Sequence, residues 1–339
     1  MKIIELSKKS DNDLWNKFFD IPVEVYKGDK NWIIEDRKQL KEQIFELLGG
    51  PRYQCWPMIL EDNDMPIARG VAILPPESKG VGWIGYFEGL EKYKKEMNEL
   101  FRALEDKLLV NKVKKVIFPK IDNMQAGLQI SKFNIPPSIF TSYNPKYYKK
   151  IIKKANYKLS QKLVTFYFNK KIAKYVKSKD NVKLRTFNDK DIENEIKLFH
   201  KFQIDVFISH EGYIPRTLEE EGKLINRLIP FMDKDLIIIA EDDNKKIIGS
   251  LVCLPDYNQK IFEGKIDKAR IVSIGVHSDY LRQGIGKQMG NLLMKTLIDK
   301  DYKEAEASWI LKKNVPPQFL AKIFGAKKGR TFGIFEKYI

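Results

Sequence analysis

The chain has 339 residues, of which 43% are apolar and 31% charged, and its formal net charge is +16. At about 150 residues per domain this length predicts two domains, which excludes a small disulfide-stapled scaffold, and the composition excludes a wholly disordered chain. Cys55 and Cys253 lie far apart, with no CxxC pair and no histidine cluster, so we expect neither a disulfide framework nor a bound metal.

Hydrophobic periodicity divides the first half of the chain into alternating elements. It predicts strands at residues 2–6, 56–61, 67–74, 82–87, 114–118 and 163–168, and helices at 14–19, 37–48, 92–109 and 146–156.

The second half repeats this order of elements. The predicted strands are 182–187, 236–241, 247–255, 269–277 and 304–311, with a final pair within 330–338, and the helices are 191–208, 218–232, 284–299 and one that opens at Pro316 and Pro317. The repeat predicts two similar α/β units in tandem. The polar, lysine-rich segment 169–181 is the predicted boundary, which gives domains of residues 1–180 and 181–339.

The basic residues are mostly lysine, and the segment from Lys146 to Lys179 holds twelve lysines, interleaved aromatics and no acidic residue. Such a segment could face a nucleic acid. However, Tyr148, Ile151 and Ile152 recur at helical spacing, which is typical of core residues, and bidentate recognition of phosphates and bases favours arginine. We favour a solvated lysine face and keep nucleic acid as an alternative partner.

The N-terminal stretch MKIIELSKKSDND lacks the apolar core of a signal peptide. The longest apolar runs fall far below the roughly 20 residues that a bilayer crossing needs. We therefore expect a cytoplasmic protein without a membrane partner.

The most informative stretch is SIGVHSDYLRQGIGK, residues 273–287, which places a glycine-containing loop between a strand and an amphipathic helix. The first backbone N–H groups of a helix have no intrahelical acceptor and carry partial positive charge. Gly284 and Gly286 would let phosphate oxygens approach, and Arg282 and Lys287 would add charge. Because the stretch 273–287 contains neither GxxxxGKS nor GxGxxG, its pattern indicates an anion site of another kind.

The segment Leu281, Arg282, Gln283, Gly284, Ile285, Gly286 resembles the signature of the GNAT superfamily of acyl-CoA-dependent N-acyltransferases, except that Leu281 replaces the usual Gln or Arg. The resemblance implies a mixed, mostly antiparallel sheet flanked by helices, and acetyl-CoA as the co-substrate. The diphosphate of acetyl-CoA would bind the backbone of residues 281–287. Its pantetheine arm would run along Ile274, Gly275 and Val276, with a further contact from Asn314.

The first half resembles the same fold, and the whole chain is similar to tandem bacterial and archaeal proteins with a terminal GNAT domain. The segments IPVEVYKGDKNWI, GWIGYFE and YNPKYYKKIIKKANY carry this second resemblance. Where a glycine loop would stand, the first half has FEGLEK, residues 87–92, with acidic residues in place of anion-binding ones. We therefore expect a degenerate GNAT-like domain that does not bind acyl-CoA.

The catalytic groups common in this superfamily are missing from the second half. Arg270 stands where many members carry Glu, and Ala321 stands where many carry Tyr. The remaining weak candidates for acid–base work are His277 and Glu241.

The segment between the first two helices of the second half is where family members shape the acceptor pocket. His210, Glu211 and Tyr213 lie in this segment and are the weak candidates for substrate contact.

The leading hypothesis is transfer of acetyl from acetyl-CoA to a primary amine of a small molecule or a protein. A non-catalytic acyl-CoA-binding regulatory protein is the first alternative, because the usual Glu and Tyr are absent. The second is an aminoacyl-tRNA-dependent transferase that holds tRNA on residues 146–179.

Overall fold

The computed structural model describes residues 1–123, 127–171, 174–178, 182–210 and 212–339, which form two compact units. The first unit is Met1–Leu163 together with Thr331–Ile339, and the second is Val164–Arg330. The predicted boundary, between residues 180 and 181, falls outside the described residues. The two long strands at residues 158–169 and 327–338 each have residues in both units, and residues 331–339 belong to the first unit.

The first unit holds the following elements: β1 (Lys2–Glu5), α1 (Asn12–Val25), α2 (Arg37–Gly49), β2 (Gln54–Asp62), β3 (Met65–Leu74), β4 (Val81–Gly89), α3 (Met97–Val110), β5 (Lys115–Phe118), β6 (Leu128–Gln129), α4 (Tyr148–Lys154) and the start of β7 (Lys158–Asn169). Asp11 and Asp36 cap α1 and α2 by accepting backbone N–H bonds.

The sheet of the first unit has the order β1-β2-β3-β4-β5, followed by the last strand of the chain. All of its neighbours are antiparallel except β4 and β5, which are parallel. Helices α3 and α4 bury apolar side chains such as Leu100, Leu104 and Ile152 on this sheet. The layer arrangement is therefore α/β.

The second unit completes β7 and continues with β8 (Lys183–Thr186), α5 (Ile192–Phe207), α6 (Leu218–Leu228), β9 (Ile237–Glu241), β10 (Ile247–Pro255), α7 (Tyr257–Glu263), β11 (Lys268–Val276), α8 (Ile285–Asp299), β12 (Glu304–Leu311), α9 (Val315–Ile323) and β13 (Lys327–Tyr338). Its sheet order is β7-β12-β11-β10-β9-β8, with antiparallel pairs from β8 to β11 and a parallel pair between β11 and β12.

Helix α8 packs on the sheet of the second unit through Ile285, Met289, Leu293 and Leu297, which the periodicity predicted as part of one apolar stripe. Helices α5 and α6 contribute separate small apolar clusters with strand residues, among them Phe202 with Ile239. The unit is thus a sheet with helices against it, which fixes both ends of the loop between β11 and α8.

The predicted final pair of strands is wrong, because β13 is one continuous strand. Gly329 and Gly333 both lie within this strand. Each occupies a place where a side chain has no room, because a Cβ atom would lie 2.1 Å from Tyr167 at Gly329 and 2.7 Å from Leu159 at Gly333. The sequence also gave no signal for α7. In the described part of the chain, no helix combines the length and apolarity that a bilayer crossing requires.

Candidate active site

The loop between β11 and α8 is built by two residues in the left-handed region of backbone space. Strand β11 ends at Val276, and the His277 N–H still donates to Ile248 O at 2.8 Å. Arg282 and Gly284 then have φ of +65° and +84°. Glycine adopts this conformation without the steric cost of a Cβ atom, so Gly284 suits the position immediately before α8.

The loop leaves a run of backbone N–H groups without acceptors. The N–H groups of Lys287 and Gln288 both donate to Gly284 O, at 2.9 and 3.1 Å. For residues 282–286, the described part of the chain provides no acceptor to the backbone N–H groups. These groups lie at the positive end of the α8 dipole and form a cradle for an anion.

The N–H groups of the cradle span residues 282–286, which is one residue shorter at each end than the predicted range of residues 281–287. The Lys287 N–H is engaged within the first turn, and the Leu281 N–H donates to Ser278 O over a long 3.3 Å. The Gln283 side-chain amide turns back to Asp279 O. The side chain of Arg282 is exposed and that of Lys287 is half-buried, so both are placed to add positive charge to the cradle.

Three glycines give this region different properties. A Cβ atom on Gly284 would meet nothing within 4 Å, so the space beside it is open. A Cβ atom on Gly286 would lie 3.4 Å from Leu320, and one on Gly290, four residues later in α8, would lie 2.5 Å from Phe324. Helix α8 therefore packs tightly against α9 while its N-terminus faces open space.

Strands β11 and β12 separate next to the loop. Their parallel pairing runs from Lys268 with Glu304 to Ile271 with Ala307, and among the described residues it goes no further. A bulge in β10–β11 falls opposite Val252 and Cys253. The predicted residues 274–276 lie on the separated part of β11, where strand edges can pair with an extended ligand.

Gly275 brings helix α5 down onto the separated strand. A Cβ atom there would lie 3.0 Å from Val206 and 3.2 Å from Phe207. The Phe207 ring contacts those of His210 and Tyr213, with centroids 5.2 and 5.9 Å away. Two of the predicted substrate residues therefore gather on the aromatic ring that covers the strand.

The third predicted substrate residue, Glu211, lies outside the described residues. Phe207 was not predicted as a site residue; its position at the end of a helix, three residues before His210, was the available signal.

Arg270 joins the two strands at the point where they begin to part. Its Nε donates to Ser308 Oγ at 2.8 Å and its Nη2 to Ser308 O at 2.9 Å. Burial lowers the pKa of its guanidinium to about 10, so it stays charged at neutral pH. The residue at the position expected for a carboxylate is thus a buried structural cation.

The two catalytic candidates have different surroundings. Glu241 is buried and accepts the Arg185 Nε at 2.5 Å, and Arg185 also binds Glu195, so this carboxylate belongs to an ion-pair network. His277 lies at the end of β11, with its side chain 13% exposed, and its Nδ1 accepts a long 3.4 Å bond from the Asp279 N–H. Of the two, only His277 borders the loop.

Asn314 lies at the N-cap position of α9 without a side-chain capping bond. Its backbone carbonyl accepts the Gln318 amide at 2.8 Å. The side-chain amide of Asn314 is therefore not used for capping, and it stands at the start of the helix that packs on α8.

The first unit has a corresponding pair of strands with a different ending. The pairing of β4 with β5 runs only from Val81 to Trp83. Beyond it, Tyr148 Oη accepts the Gly89 N–H at 2.9 Å and donates to Glu88 Oε2 at 2.5 Å, while Tyr147 Oη donates to Gly89 O at 2.7 Å. The backbone N–H and carbonyl of Gly89, at the end of β4, are thus hydrogen-bonded to tyrosines of the same unit.

Comparisons with known proteins agree with this architecture. Residues 203–326 match the model of the acetyltransferase (GNAT) family. A bacterial ceramide synthase of Caulobacter vibrioides is 24% identical over 71% of each chain, and protein YghO of Escherichia coli K12 is 22% identical over 97% of this chain and 93% of its own.

The solved structure of a tandem GNAT protein from the clavulanic acid biosynthesis pathway aligns with a TM-score of 0.62. It is 8% identical, and the alignment covers 99% of this chain and 98% of that one. The predicted tandem fold and the resemblance to the GNAT superfamily are confirmed.

Proposed function

We propose that this chain, a member of the GNAT superfamily with two units of that fold, transfers an acyl group from acyl-CoA to an amine in its second unit. The observation that carries the proposal is the set of backbone N–H groups at residues 282–286, which find no acceptor among the described residues and lie near the strands that separate. A diphosphate fits this cradle because it is doubly charged and rich in acceptor oxygens.

The pantetheine arm would extend along the unpaired edge of β11 at residues 274–276. Fixed backbone dipoles there would polarise the thioester carbonyl, and positioning alone lowers the barrier substantially. The amine nitrogen attacks the carbonyl carbon, a C–N bond forms, the C–S bond breaks, and the thiolate of coenzyme A leaves. We propose acetyl as the acyl group and a primary amine as the acceptor.

The nitrogen must lose its protons during this reaction. Arg270 and Glu241 are both committed to buried networks, so neither is suited to accept a proton. We assign this role to His277 or to water at the open end of β11, because His277 borders the loop and Glu241 does not.

The Caulobacter relative favours a more specific acceptor. A ceramide is a long-chain amino alcohol with an amide-linked acyl chain, so its synthesis is an N-acylation. We therefore propose a long-chain amino alcohol as a second candidate acceptor, with a long-chain acyl-CoA as the donor.

The non-catalytic alternative predicts binding of acyl-CoA without transfer, because Ala321 and Arg270 replace the usual acid and base. The aminoacyl-tRNA alternative predicts that tRNA, rather than acyl-CoA, binds the chain. It is the less favoured, because a tRNA-dependent enzyme has no use for a diphosphate cradle.

Two experiments separate these functions. Calorimetry with acetyl-CoA and a long-chain acyl-CoA measures binding. Transfer of a labelled acyl group to a small amine, a lysine peptide and a sphingoid base measures turnover. We expect binding and transfer. Binding without transfer to any acceptor would leave the regulatory role, and no heat at millimolar acyl-CoA would overturn the proposal.

A further inference from the structure

Three large apolar side chains of the second unit are exposed on the loop before α8 and on α9, whose Leu320 lies beside Gly286 of α8; we call this region the rim. Leu281 is 57% exposed, and on α9 Val315 and Phe319 are 66% and 58% exposed. Val315 and Phe319 are four residues apart, so they lie on the same face of α9. Contiguous exposed apolar groups of this kind mark interaction surfaces more often than isolated ones do.

The structure holds these side chains in place. The Gln318 amide donates to the backbone carbonyls of Leu311, Lys312 and Asn314, which fixes the turn before α9. Leu320, next to Phe319, lies against the first turn of α8, which follows Leu281. The rim is therefore a built surface on a helix and an adjoining loop.

The charge around the rim is mostly positive, although the exposed Asp279 lies two residues before Leu281. Residues 280–298 and 307–335 contain no Asp or Glu, and the exposed basic residues within them include Arg282, Lys312, Lys322 and Lys327. An apolar face flanked by lysines is the composition of helices that lie in the headgroup region of anionic bilayers.

We propose that this rim, formed by Leu281, Val315 and Phe319 with the lysines beside them, docks on an anionic lipid bilayer. The predominance of lysine and the aliphatic character of two of the three apolar residues favour a lipid surface over RNA, for which arginine and stacking aromatics are preferred.

This proposal departs from the expectation of no membrane partner. That expectation rested on the lack of a spanning segment, whereas α9 would lie on the surface and not cross it. The docking also stands apart from the proposed acyl transfer, since vesicle binding is measured without acyl-CoA. It would place the open cradle beside the bilayer, where a lipid substrate is present.

Co-sedimentation of the full chain with vesicles tests the proposal. We expect binding to phosphatidylglycerol-containing vesicles that weakens with salt, and little binding to pure phosphatidylcholine. The double variant V315S/F319S should bind about tenfold more weakly or worse, because it removes the inserted apolar area. The matched control L109S/V110S changes two exposed apolar residues of the first unit and should bind like the wild type.

Charge is tested with K312E/K322E against K149E/K150E, which reverses two exposed lysines on α4. Each rim lysine should contribute about fivefold, whereas the α4 pair should contribute much less. Because both native cysteines are buried, F319C can carry a polarity-sensitive fluorophore, whose emission should shift to the blue on anionic vesicles.

The proposal is overturned if the wild type ignores anionic vesicles at low salt, or if both control pairs weaken binding as much as the rim pairs do. It is also overturned if tRNA binds and V315S/F319S abolishes that binding, since the surface would then serve a nucleic acid.

Discussion

The two units end their central strand pairs in opposite ways. In the second unit, β11 and β12 part near a glycine loop whose backbone N–H groups at residues 282–286 have no acceptor in the described part of the chain. In the first unit, β4 and β5 also part, but the Gly89 N–H and carbonyl at the end of β4 are bonded to Tyr148 and Tyr147. One scaffold therefore presents polar backbone to a ligand, and the other satisfies it internally.

This comparison explains how one fold can serve two purposes. A buried backbone group must find a partner, and the partner can be a ligand or a side chain. We propose that the first unit does not bind acyl-CoA, because tyrosine hydroxyls take the positions that a pantetheine arm would use. The predictions below test the two halves of this comparison.

The largest effect is expected at Gly284. Replacing it with leucine fills the open space above the cradle and strains a backbone with φ of +84°. We expect acyl-CoA affinity, measured by calorimetry, to fall about 100-fold or more, since both the shape and the N–H directions of the cradle change.

Gly264 provides a matched control for that substitution. It has φ of +71° and open space around it, but it ends α7. Gly264→Leu should strain the backbone in a similar way and leave acyl-CoA affinity unchanged. Equal loss of affinity in both variants would show that the effect comes from folding and not from the cradle.

The next effect concerns Glu88 in the first unit. Burial raises the pKa of this carboxyl from 4.5 to about 7, so the folded unit holds its proton more tightly than the unfolded chain does. The contribution of the protonated Glu88 carboxyl to the free energy of unfolding is complete below pH 4.5 and is lost as the pH rises to about 7. The loss should total about 3 kcal/mol.

Calorimetric unfolding of the wild type and Glu88→Gln between pH 5 and pH 8 measures this dependence. Glutamine cannot titrate and keeps a carbonyl oxygen for the Tyr148 hydroxyl, so its unfolding free energy should vary less with pH. Parallel pH profiles for the two proteins would contradict the assignment of the slope to Glu88.

How far the sequence predicts this molecule depends on the range of the interactions. The strands at residues 247–255 and 304–311 have the predicted bounds, and a run of apolar and β-branched residues specifies the first of them locally. The loop at 281–286 was also found locally, since a strand, a glycine pair and an amphipathic helix are consecutive in sequence.

Contacts between residues far apart in the sequence could not be predicted from local patterns. Glu88 and Tyr148 are 60 residues apart, and Arg185 and Glu241 are 56 apart, so no spacing rule connects them. The same holds for Gly329, whose role is to let Tyr167 pack closely. Sequence patterns therefore predicted the loop between β11 and α8 but did not distinguish a paired carboxylate from an available one.

A smaller effect is expected from the two catalytic candidates. His277→Ala should lower kcat about tenfold in the acyl-transfer assay if the imidazole accepts the proton, within the usual contribution of a positioned base. Glu241→Gln should alter kcat less, because Glu241 is bound to Arg185, and it should lower stability instead. If His277→Ala has full activity, water is the proton acceptor.

The smallest effect is the difference in stability between variants of the two tyrosines that bond to Gly89. Tyr148→Phe leaves the Gly89 N–H buried without its acceptor and removes a donor to Glu88, so it should destabilise the first unit by about 1–3 kcal/mol. Tyr147→Phe removes one donor to a carbonyl, a group that tolerates loss of one bond better, and should cost about 1 kcal/mol or less. Chemical unfolding measures both values. Equal losses of stability would mean that the Gly89 N–H group depends on its tyrosine no more than the Gly89 carbonyl does. The contrast between a first unit that bonds this backbone internally and a second unit that does not would then lose its physical basis.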